Sequence, residues 1–386
     1  MGNKYSILFL IDSLTEGGAE LALLVLVRAL HKQSHNISVF ALREPFGLVS
    51  AFREAGAILY LPENGAPQGR IDGFLRLRKV IQSQYFDFVH ASSRNTSMYF
   101  ALAFLLPYHV SKIVTFQNVH FRNIPNLSRW QRIKEMILLE ILQRTCAGFT
   151  TDSHRNVQDY NRYNPGLPIT WLPNCVVPPI DRSRVDISSI RKSMGVGPKD
   201  FLILIPARYS IQKGHIVFFT ALKHFRLRGN ILPRVICYGD GDQFEPLSRY
   251  LQQNKLDDMV SLHGVVSIDK LQAAMVAADL IAMPSLWESF GQVVAGAMAL
   301  GKPVLGADTG GIKEQILHNK TGFLAPPGDA VAWAAEIERL MKSRGSLLEV
   351  GKAGKEAVRH VLSPDQIAKI LIEYYLKVSQ RSYGNN

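Results

Sequence analysis

The chain alternates short apolar runs with amphipathic stretches from one end to the other. In its first half, apolar runs predict strands at residues 6–11, 37–42, 86–90 and 112–116. Between these runs, apolar residues recur at helical spacing over residues 20–32, 50–56, 74–82 and 97–106. Because strands that alternate with helices form parallel sheets covered on both faces, this half is predicted to be an α/β domain.

The pattern breaks at residues 172–186, where Pro173, Pro178 and Pro179 predict a linker. A second α/β series follows, with strands predicted at 201–206, 234–238, 260–262, 280–283 and 303–306. Its helices are predicted at 216–228, 244–253, 269–277, 292–300 and 330–342. A last helix, at 364–379, follows after the second sheet is complete. The pattern therefore predicts two domains of ordinary size and one surplus helix.

The charge balance favours anionic partners. The 386 residues include 44 Lys and Arg against 32 Asp and Glu, a formal charge of +12. Residues 1–175 hold 18 basic and 12 acidic side chains, so the excess is shared by both halves. Nucleotides, phospholipid head groups and nucleic acid would all suit this charge, which by itself does not choose among them.

The cysteines and the apolar runs predict a cytoplasmic protein. Cys146, Cys175 and Cys237 lie far apart without C-x-x-C spacing, which favours buried thiols in a reducing compartment. The first apolar run is too short for a signal sequence, and no run approaches the roughly 20 apolar residues of a membrane span.

Glycine loops follow several of the predicted strands. Gly17 and Gly18 lie between the first strand and the first helix, and Gly239 and Gly241 end another strand. Ligands of parallel sheets bind at the carboxyl ends of strands, where glycines allow close approach and helix N-termini offer N–H donors to anions. The alternative for each of these loops is a plain tight turn.

A pair of cations lies on another strand-to-helix loop. Arg208 and Lys213 are five residues apart and can both reach one diphosphate, with a bidentate fork from Arg and a point charge from Lys. The alternative is two solvated surface cations.

Residues 284–311 carry the strongest signal. Glu288 precedes the turn Ser289-Phe290-Gly291, which begins a helix rich in small residues. Such a turn aims backbone N–H groups at a ligand, and the carboxylate can accept bonds from sugar hydroxyls.

In their order along the chain, these motifs resemble those of the retaining glycosyltransferases of family 4. The resemblance covers nearly the whole chain and includes Gly17-Gly18, Leu172-Pro173-Asn174, Arg208 with Lys213, Gly239-x-Gly241, Glu288-Ser-Phe-Gly, Thr309-Gly-Gly and Thr321-Gly-Phe. It implies the GT-B architecture: two Rossmann-like parallel-sheet domains that face each other across a cleft. The implied domains are 1–180 for the acceptor and 181–362 for the donor, with a C-terminal helix in 363–386 that crosses back to the N-terminal domain.

The resemblance also implies roles for individual residues. Arg208 and Lys213 would neutralise the donor diphosphate, and Glu288 would hold hydroxyls of the donor sugar. The implied donor-binding residues are Gly17, Gly18, Arg208, Lys213, Gly239, Glu288, Ser289, Phe290 and Gly291. The mechanism would need no metal ion and no cofactor beyond a UDP- or GDP-linked sugar.

Three positions depart from the family pattern. A second glutamate would fall at Gly296, which has no side chain to hold the nucleotide ribose. Gln117 stands where the family has a histidine, with His120 as a substitute, and only His90 remains of a His-x-His motif. We therefore take His90, Gln117 and His120 as acceptor-side candidates, and Gln117 with Glu288, Arg208 and Lys213 as catalytic candidates.

The expected function is transfer of a sugar, with retention, to a saccharide or lipid-linked acceptor in surface polysaccharide or glycoconjugate biosynthesis. One alternative is a degenerate member with a scaffold or regulatory role, which Gly296 and Gln117 favour. Another is a nucleotide-sugar 2-epimerase of the same architecture. Nucleic-acid binding would explain the charge and nothing else, so no nucleic acid is expected as a partner.

Three segments suggest peripheral contact with an anionic membrane at the inner face of the cytoplasmic membrane. Residues 127–145 begin with basic residues, carry Trp130 and have one apolar face. Residues 74–79 add three cations, and 104–108 are mainly apolar. The alternative is that these are core-facing helices with solvated charges.

Overall fold

The computed structural model describes residues 4–63, 69–105, 110–124, 127–227 and 232–383. The chain divides into two compact units. Unit 1 comprises Met1–Cys175 and Leu362–Asn386, and unit 2 comprises Val176–Val361. The segment after Cys175 belongs to unit 2, where Gln272 accepts a bond from the Ile180 N–H at 2.7 Å and donates to Pro178 O at 3.2 Å.

The described part of unit 1 contains a parallel sheet of seven strands in the order β3-β2-β1-β4-β5-β6-β7. The strands are β1 Ser6–Ile11, β2 Asn36–Ala41, β3 Ile58–Tyr60, β4 Phe88–Ala91, β5 Ser111–Phe116, β6 Gly148–Thr151 and β7 Ile169–Trp171. The strand order reverses between β1 and β4, as in a doubly wound fold, and ligands of such folds bind beyond the carboxyl ends at this point.

Helices of unit 1 cover both faces of this sheet. They are α1 Gly18–Lys32, α2 Val49–Glu54, α3 Arg70–Ser83, α4 Arg94–Ser97, α5 Arg129–Thr145 and α6 His154–Tyr163, with 3-10 helices at Met98–Leu105 and Phe121–Asn123. One face of the sheet shares a core cluster with α3, α5 and α6, to which Phe74, Leu142 and Tyr160 contribute.

The described part of unit 2 repeats the arrangement with six parallel strands in the order β10-β9-β8-β11-β12-β13. The strands are β8 Leu202–Pro206, β9 Arg234–Tyr238, β10 Val260–His263, β11 Leu280–Met283, β12 Val304–Ala307 and β13 Phe323–Ala325. Here the order reverses between β8 and β11.

The helices of unit 2 follow the same alternation. They are α7 Ile187–Ser193, α8 His215–Leu227, α9 Phe244–Gln253, α10 Ile268–Ala277, α11 Gln292–Ala299, α12 Gly310–Gln315, α13 Ala330–Lys342 and α14 Leu347–Val361, with 3-10 helices at Arg182–Arg184, Ile211–Lys213 and Arg344–Ser346. Each unit is thus a Rossmann-like α/β layer structure, and this prediction is confirmed.

The last helix, α15 Pro364–Tyr383, returns to unit 1, also as predicted. Tyr375 stacks on Phe88 of β4 with ring centroids 4.1 Å apart, and Tyr374 Oη donates to Phe149 O at 3.1 Å. Gly148 makes this approach possible, because a Cβ there would lie 2.1 Å from Tyr374 Oη.

The helix predicted at 97–106 is wrong in type. The chain forms the short helix α4 and then the 3-10 helix Met98–Leu105, with non-helical dihedral angles at Leu102. The run is apolar all round, so helical spacing gives it no single face to bury. Residue 106 of this prediction, and residue 228 of the helix predicted at 216–228, lie outside the described residues.

Candidate functional site

Loops of unit 2 that follow β8 and β11 lie side by side where the strand order reverses. The first loop carries Arg208 and Lys213, and the second carries Glu288. The Leu286 N–H donates to Gln212 O at 2.8 Å, which ties the loops together. The predicted cation pair and the predicted carboxylate are therefore brought to one place.

Gly214 explains how these loops come so close. Its φ is +66°, and a Cβ there would lie 2.0 Å from the carbonyl oxygen of Pro284. Only glycine combines this left-handed conformation with such an approach. Lys213, the preceding residue, is thereby held beside the loop that follows β11.

Lys213 and Glu288 form an ion pair. Lys213 Nζ donates to Glu288 Oε2 at 2.6 Å, and Ser285 Oγ donates to the same oxygen at 3.2 Å. The two side chains of the ion pair are 15% and 11% exposed. Because little solvent reaches the pair, its electrostatic field is screened less than that of a surface pair.

Arg208 lies on the same loop but in a different environment. Its side chain is exposed, and within the described ranges no ion pair holds its guanidinium group. The loop therefore presents one fixed cation and one free cation, and a free guanidinium can bind a phosphate group through two parallel hydrogen bonds.

The turn Ser289-Phe290-Gly291 begins helix α11. Gly291 has φ +89° and is the N-cap, and no side chain caps the helix. Ser289 and Phe290 are buried, and the Gln315 side-chain amide donates to Phe290 O at 2.5 Å. The turn is thus rigid, and the uncapped helix end offers N–H donors to an anion.

Gly239 has a packing role that does not require a ligand. A Cβ there would lie 2.2 Å from Ala207 O in the loop after β8. Sequence analysis predicted a donor contact at Gly239, and the contact between neighbouring loops is enough to explain the glycine.

Gly296 lies beside open space. It is half-buried on α11, and a Cβ there would meet no heavy atom of the described residues within 4 Å. The carboxylate that the resemblance led us to expect is therefore absent, and no neighbouring side chain fills its place.

Gly17 and Gly18 lie at the start of α1 in unit 1. Gly17 is the N-cap, and no side chain caps this helix either. A Cβ at Gly17 would lie 2.3 Å from Glu20 Oε2, so the glycine lets Glu20 fold back over the helix end.

His90 lies in the core of unit 1. It is 2% exposed; its Nδ1 lies 2.7 Å from Tyr375 Oη, and its Nε2 lies 2.6 Å from Thr115 Oγ1. Burial lowers the pKa of His90 to about 3. Because both ring nitrogens are engaged inside the protein, neither is left for the acceptor contact that the sequence suggested.

His120 is likewise enclosed. It is fully buried, with Nε2 3.1 Å from Asn164 Oδ1 and with Nδ1 accepting from the Arg122 N–H at 3.2 Å. Burial lowers the pKa of its imidazole. The ring packs against Phe121 and Tyr160, so His120 fixes the local fold and does not replace Gln117 as an acceptor contact.

Gln117 borders a cavity of about 530 Å³ in unit 1, a volume typical of ligand sites. The cavity lies at the carboxyl ends of β1, β4 and β5 and extends under α5. Its polar lining includes Asp12, Ser93, Asn95 and Gln117. Its apolar lining includes Leu138, Leu139, Leu142 and Tyr160.

Asp12, Ser93 and Asn95 are candidate site residues that the motif analysis missed. Asp12 Oδ1 accepts from Ser93 Oγ at 2.5 Å, and Asp12 Oδ2 accepts from Asn95 Nδ2 at 2.6 Å. All three follow the carboxyl ends of β1 and β4. Their position directly after two strands is the sequence signal that marks them, because ligands of parallel sheets bind at the carboxyl ends of strands.

Helices α3 and α5 carry apolar side chains on their outer faces as well as in the core. Ile71 and Leu75 of α3 are 76% and 54% exposed. Trp130 and Ile137 of α5 are 74% and 55% exposed. The alternative interpretation, in which the apolar side chains of both helices face the core, therefore does not account for these exposed side chains. Of the third segment, 104–108, residues 106–108 lie outside the described part.

No helix among the described residues is both long enough and apolar enough to cross a bilayer. No group of three or more His, Cys, Asp and Glu side chains in this part of the chain is arranged to hold a metal ion.

Comparison with known proteins matches both units to glycosyltransferases. Residues 186–357 match the family Glycosyl transferases group 1, and residues 16–178 match Glycosyltransferase Family 4. The two matches leave only the ends and a short linker uncovered.

Individual relatives agree with this assignment. An uncharacterized glycosyltransferase of Methanocaldococcus jannaschii is 28% identical over 63% of this chain and 59% of its own. A GDP-mannose-dependent alpha-(1-6)-phosphatidylinositol monomannoside mannosyltransferase of Mycobacterium tuberculosis is 29% identical over 59% of this chain and 62% of its own. The chain thus matches less than two thirds of the length of these curated relatives.

A solved structure covers the whole fold. HepE of Anabaena, in complex with UDP-glucose, superposes with a TM-score of 0.81 over 97% of this chain and 100% of HepE, at 19% identity. At that identity the likeness shows the fold, which is GT-B as predicted. The motifs, the two matched families and this fold agree, and the chain belongs to the group 1 glycosyltransferases of the family 4 type.

Proposed function

We propose that the protein transfers a sugar from a nucleotide-sugar donor to a saccharide or lipid-linked acceptor. The transfer retains the anomeric configuration and needs neither a metal ion nor a further cofactor. The observation that carries the proposal is the ion pair of Lys213 and Glu288, formed where the strand order reverses and on loops that also carry the exposed Arg208.

The charges suit a diphosphate leaving group. As the bond to the sugar breaks, negative charge develops on the diphosphate, and fixed cations lower the energy of that state. Lys213 is already in place and has three donors, so it can hold Glu288 and a phosphate oxygen together. Arg208 can close on the second phosphate, and the N-terminus of α11 adds backbone donors.

Glu288 suits the donor sugar. Both hydrogen bonds to its carboxylate within the described residues are accepted by Oε2, which leaves Oε1 for a sugar hydroxyl. Lys213 and Ser285 fix the carboxylate, so the sugar would be oriented without further ordering of the side chain.

The donor base is proposed to be uracil or guanine. The mycobacterial relative is named as GDP-mannose-dependent, and the Anabaena structure contains UDP-glucose. Both nucleotides occur among proteins similar to this chain, so both belong in a donor screen.

We propose that the enzyme acts in surface polysaccharide or glycoconjugate biosynthesis, peripherally on the inner face of the cytoplasmic membrane. The exposed apolar residues of α3 and α5 lie among cations such as Lys79 and Arg129, a pattern typical of anionic-lipid binding. Flotation with anionic liposomes at low salt tests this, and protein that stays wholly in the soluble fraction would contradict it.

Isothermal titration with UDP-, GDP- and dTDP-sugars tests the donor site. We expect one class of donor to bind, and mass spectrometry of the released nucleotide should then identify turnover. The anomeric configuration of the product, determined by NMR, tests retention. Absence of binding at millimolar donor would overturn the proposal and favour the non-catalytic alternative, which the missing carboxylate at Gly296 supports.

The 2-epimerase alternative is weakened by the histidines. Epimerisation needs acid and base groups that reach the sugar, whereas His90 and His120 are buried with their ring nitrogens engaged. Formation of an epimer from nucleotide sugar alone would restore this alternative.

A further inference from the structure

His215 is the first residue of α8 and follows Lys213 by two residues. Its side chain is 1% exposed. The ring of Tyr209 lies against the imidazole with centroids 5.2 Å apart, and the ring of Phe219, one turn further along α8, lies 6.2 Å away. The imidazole is therefore enclosed beside the loop that carries the candidate donor cations.

Neither ring nitrogen of His215 has a hydrogen-bond partner among the described residues. A neutral imidazole has one N–H donor and one lone pair, so protein groups leave both unsatisfied. The nearby Tyr209 hydroxyl does not serve, because it donates to His263 O at 2.7 Å and accepts from the His263 N–H at 3.1 Å. His90 and His120 show the ordinary case, in which both nitrogens are engaged inside the protein.

A second buried polar atom on the same loop is also unpartnered. Ser210 Oγ is buried and bonds to no group in the described part of the chain. Ser210 is the N-cap of the 3-10 helix Ile211–Lys213, yet its hydroxyl makes no capping bond. Unsatisfied polar groups therefore stand directly before this 3-10 helix, at Ser210, and shortly after it, at His215.

The 3-10 helix is attached mainly to the loop that follows β11. Gln212 O accepts from the Leu286 N–H at 2.8 Å, and the Gln212 side chain donates to Trp287 O at 3.0 Å. Within the 3-10 helix, the Lys213 N–H donates to Ser210 O at 3.1 Å. Bonds of the 3-10 type have poorer geometry than those of an α-helix, so support from Ser210 and His215 would matter to the position of Lys213.

We propose that ordered water bonded to His215 and Ser210 fixes the 3-10 helix, and that His215 is thereby a positioning residue for Lys213. Buried polar groups in native proteins are bonded either to protein or to ordered water. Water can donate to the imidazole lone pair and accept from the ring N–H and from the serine hydroxyl. Burial, together with the charge of Lys213, lowers the pKa of His215 to about 4, so the neutral ring keeps one donor and one acceptor at pH 7.

The positioning role rests on the proposed function, because it takes Lys213 as a contact of the donor diphosphate. The hydration of His215 does not rest on it, since it follows from the burial of the ring and from its unpartnered nitrogens. Each part therefore has its own measurement.

Substitutions at His215 test the positioning role through the Kd of UDP-glucose and GDP-mannose, measured by isothermal titration. His215→Phe keeps an aromatic ring and removes both nitrogens. We expect the Kd of the donor that binds the unmodified chain to rise by about tenfold or more, because a displaced Lys213 loses a charge-assisted bond. His215→Asn and His215→Gln place an amide near Nδ1 and Nε2, and at least one should restore the Kd to within about threefold.

His224→Phe is the matched control, because His224 is a half-buried histidine near the other end of α8. It should leave the Kd unchanged. An unchanged Kd in a folded His215→Phe variant would overturn the positioning role. Failure of both amides to restore the Kd would overturn it as well, because the shape of the ring and not its polar atoms would then matter.

NMR of the unmodified full chain, labelled with ¹⁵N at histidine, tests the hydration without a donor. We expect one protonated and one unprotonated ring nitrogen for His215 at pH 7, with a nuclear Overhauser contact between the ring N–H and bound water. The resonance is assigned by its loss in His215→Gln. A ring N–H without any contact to water would overturn the hydration.

The two measurements separate this inference from the proposed function. Donor binding that His215→Phe does not weaken would leave the transferase proposal intact and remove the role of His215. A hydrated His215 in a chain that binds no nucleotide sugar would refute the donor site and with it the positioning role, while the water site would stand.

Discussion

Arg208 and Lys213 lie on one loop, yet their surroundings give them different tasks. Lys213 is held by Glu288 in a shielded ion pair, whereas Arg208 extends into solvent. Lys213 therefore contributes to the stability of the fold as well as to the charge of the site. Arg208 contributes only to the charge of the site, and this difference can be measured.

Replacing each cation by methionine should separate the two tasks. Lys213→Met leaves Glu288 without its cation, so we expect a loss of about 1–3 kcal/mol of unfolding free energy. Arg208→Met should leave the stability within about 0.5 kcal/mol of the original. Both should weaken donor binding roughly ten- to a hundredfold. Urea unfolding and isothermal titration provide the two measurements, and equal stability of the variants would contradict the held role of Lys213.

Gly296 offers a gain-of-function test. Because a Cβ there meets open space, Gly296→Glu should fit and supply the carboxylate that the family pattern places there. One charge-assisted bond to the ribose would tighten UDP or GDP binding by about tenfold. Gly296→Ala is the control, expected to stabilise α11 by about 0.5–1 kcal/mol without changing affinity. If Gly296→Glu binds nucleotide no better than Gly296→Ala, ribose does not lie at this position.

Buried histidines predict acid sensitivity. Burial lowers the pKa of His90 to about 3 and that of His215 to about 4, from an ordinary value of 6.5. Below pH 6.5 the unfolded chain therefore binds more protons than the folded chain, so stability is highest above pH 6.5 and falls as the pH falls. At pH 5, each of these two histidines lowers the free energy of unfolding by about 2 kcal/mol relative to its value above pH 6.5. Urea unfolding at pH 7, 6 and 5 measures this, and His90→Gln should reduce the slope. A stability that is equal at pH 7 and pH 5 would argue against these depressed values.

The sequence identified residues that lie on loops after strands, but it did not identify side chains that tertiary packing buries. Arg208, Lys213 and Glu288 follow strands directly, so the strand-end rule places them together. His90 also lies near the end of a strand, yet one of its ring nitrogens is bonded to Tyr375, which is 285 residues away in sequence. Burial of that kind is set by tertiary packing, and no local pattern reveals it.

At the scale of elements, the long apolar runs were predictable and the short mixed strands were not. Strand β6 reads Gly-Phe-Thr-Thr, which lacks the apolar run of a central strand, although it is wholly buried. Its threonines are satisfied by partners on neighbouring strands, as in the 2.6 Å contact of Thr115 Oγ1 with Thr150 Oγ1. For helix α5 the sequence pattern left two interpretations open, an apolar face toward a membrane or one toward the core, and the exposure of Trp130 and Ile137 shows that apolar side chains also lie on its outer face.

The outer face of α5 should govern membrane binding. Ile137 is 55% exposed, so Ile137→Glu should leave the fold intact and place a negative charge against the anionic surface. We expect bound protein in liposome flotation to fall at least fivefold. Val331→Glu, at a similarly exposed position of unit 2, is the matched control and should float like the original chain. Equal flotation of the two variants would show that the membrane contact is not made by α5.

At the scale of the whole molecule, the proline-rich break was enough to predict two sheets, whereas the return of the surplus last helix was predicted from the family resemblance. The exact division was less accessible from sequence. Gln272 attaches the connecting segment to unit 2 through its bonds to Pro178 and Ile180, which lie more than ninety residues earlier in the chain. No local sequence pattern marks a contact of this kind.

The packing of α15 on unit 1 should be essential to the stability of unit 1 and should not affect the stability of unit 2. Tyr375→Ala removes the ring stacked on Phe88, and we expect a loss of about 3–5 kcal/mol in unit 1. Tyr375→Phe keeps the ring and removes only the hydroxyl beside His90, for a loss of about 1–3 kcal/mol. Hydrogen exchange followed by peptide mass spectrometry should show faster exchange in β4 and β5 and unchanged exchange in β8 and β11. Uniform acceleration in both sheets would contradict this separation.

The discontinuity of unit 1 also sets an order of events at the ribosome. Unit 2 is one continuous segment, Val176–Val361, and can complete its core as soon as that segment has emerged. Unit 1 is synthesised first, yet the ring of Phe88 and Nδ1 of His90 lack their partner from α15 until Tyr375 is made. The first half of the chain must therefore keep part of its sheet uncovered until residues 362–386 have been synthesised, and a chaperone that protects nascent chains would act longest on this part.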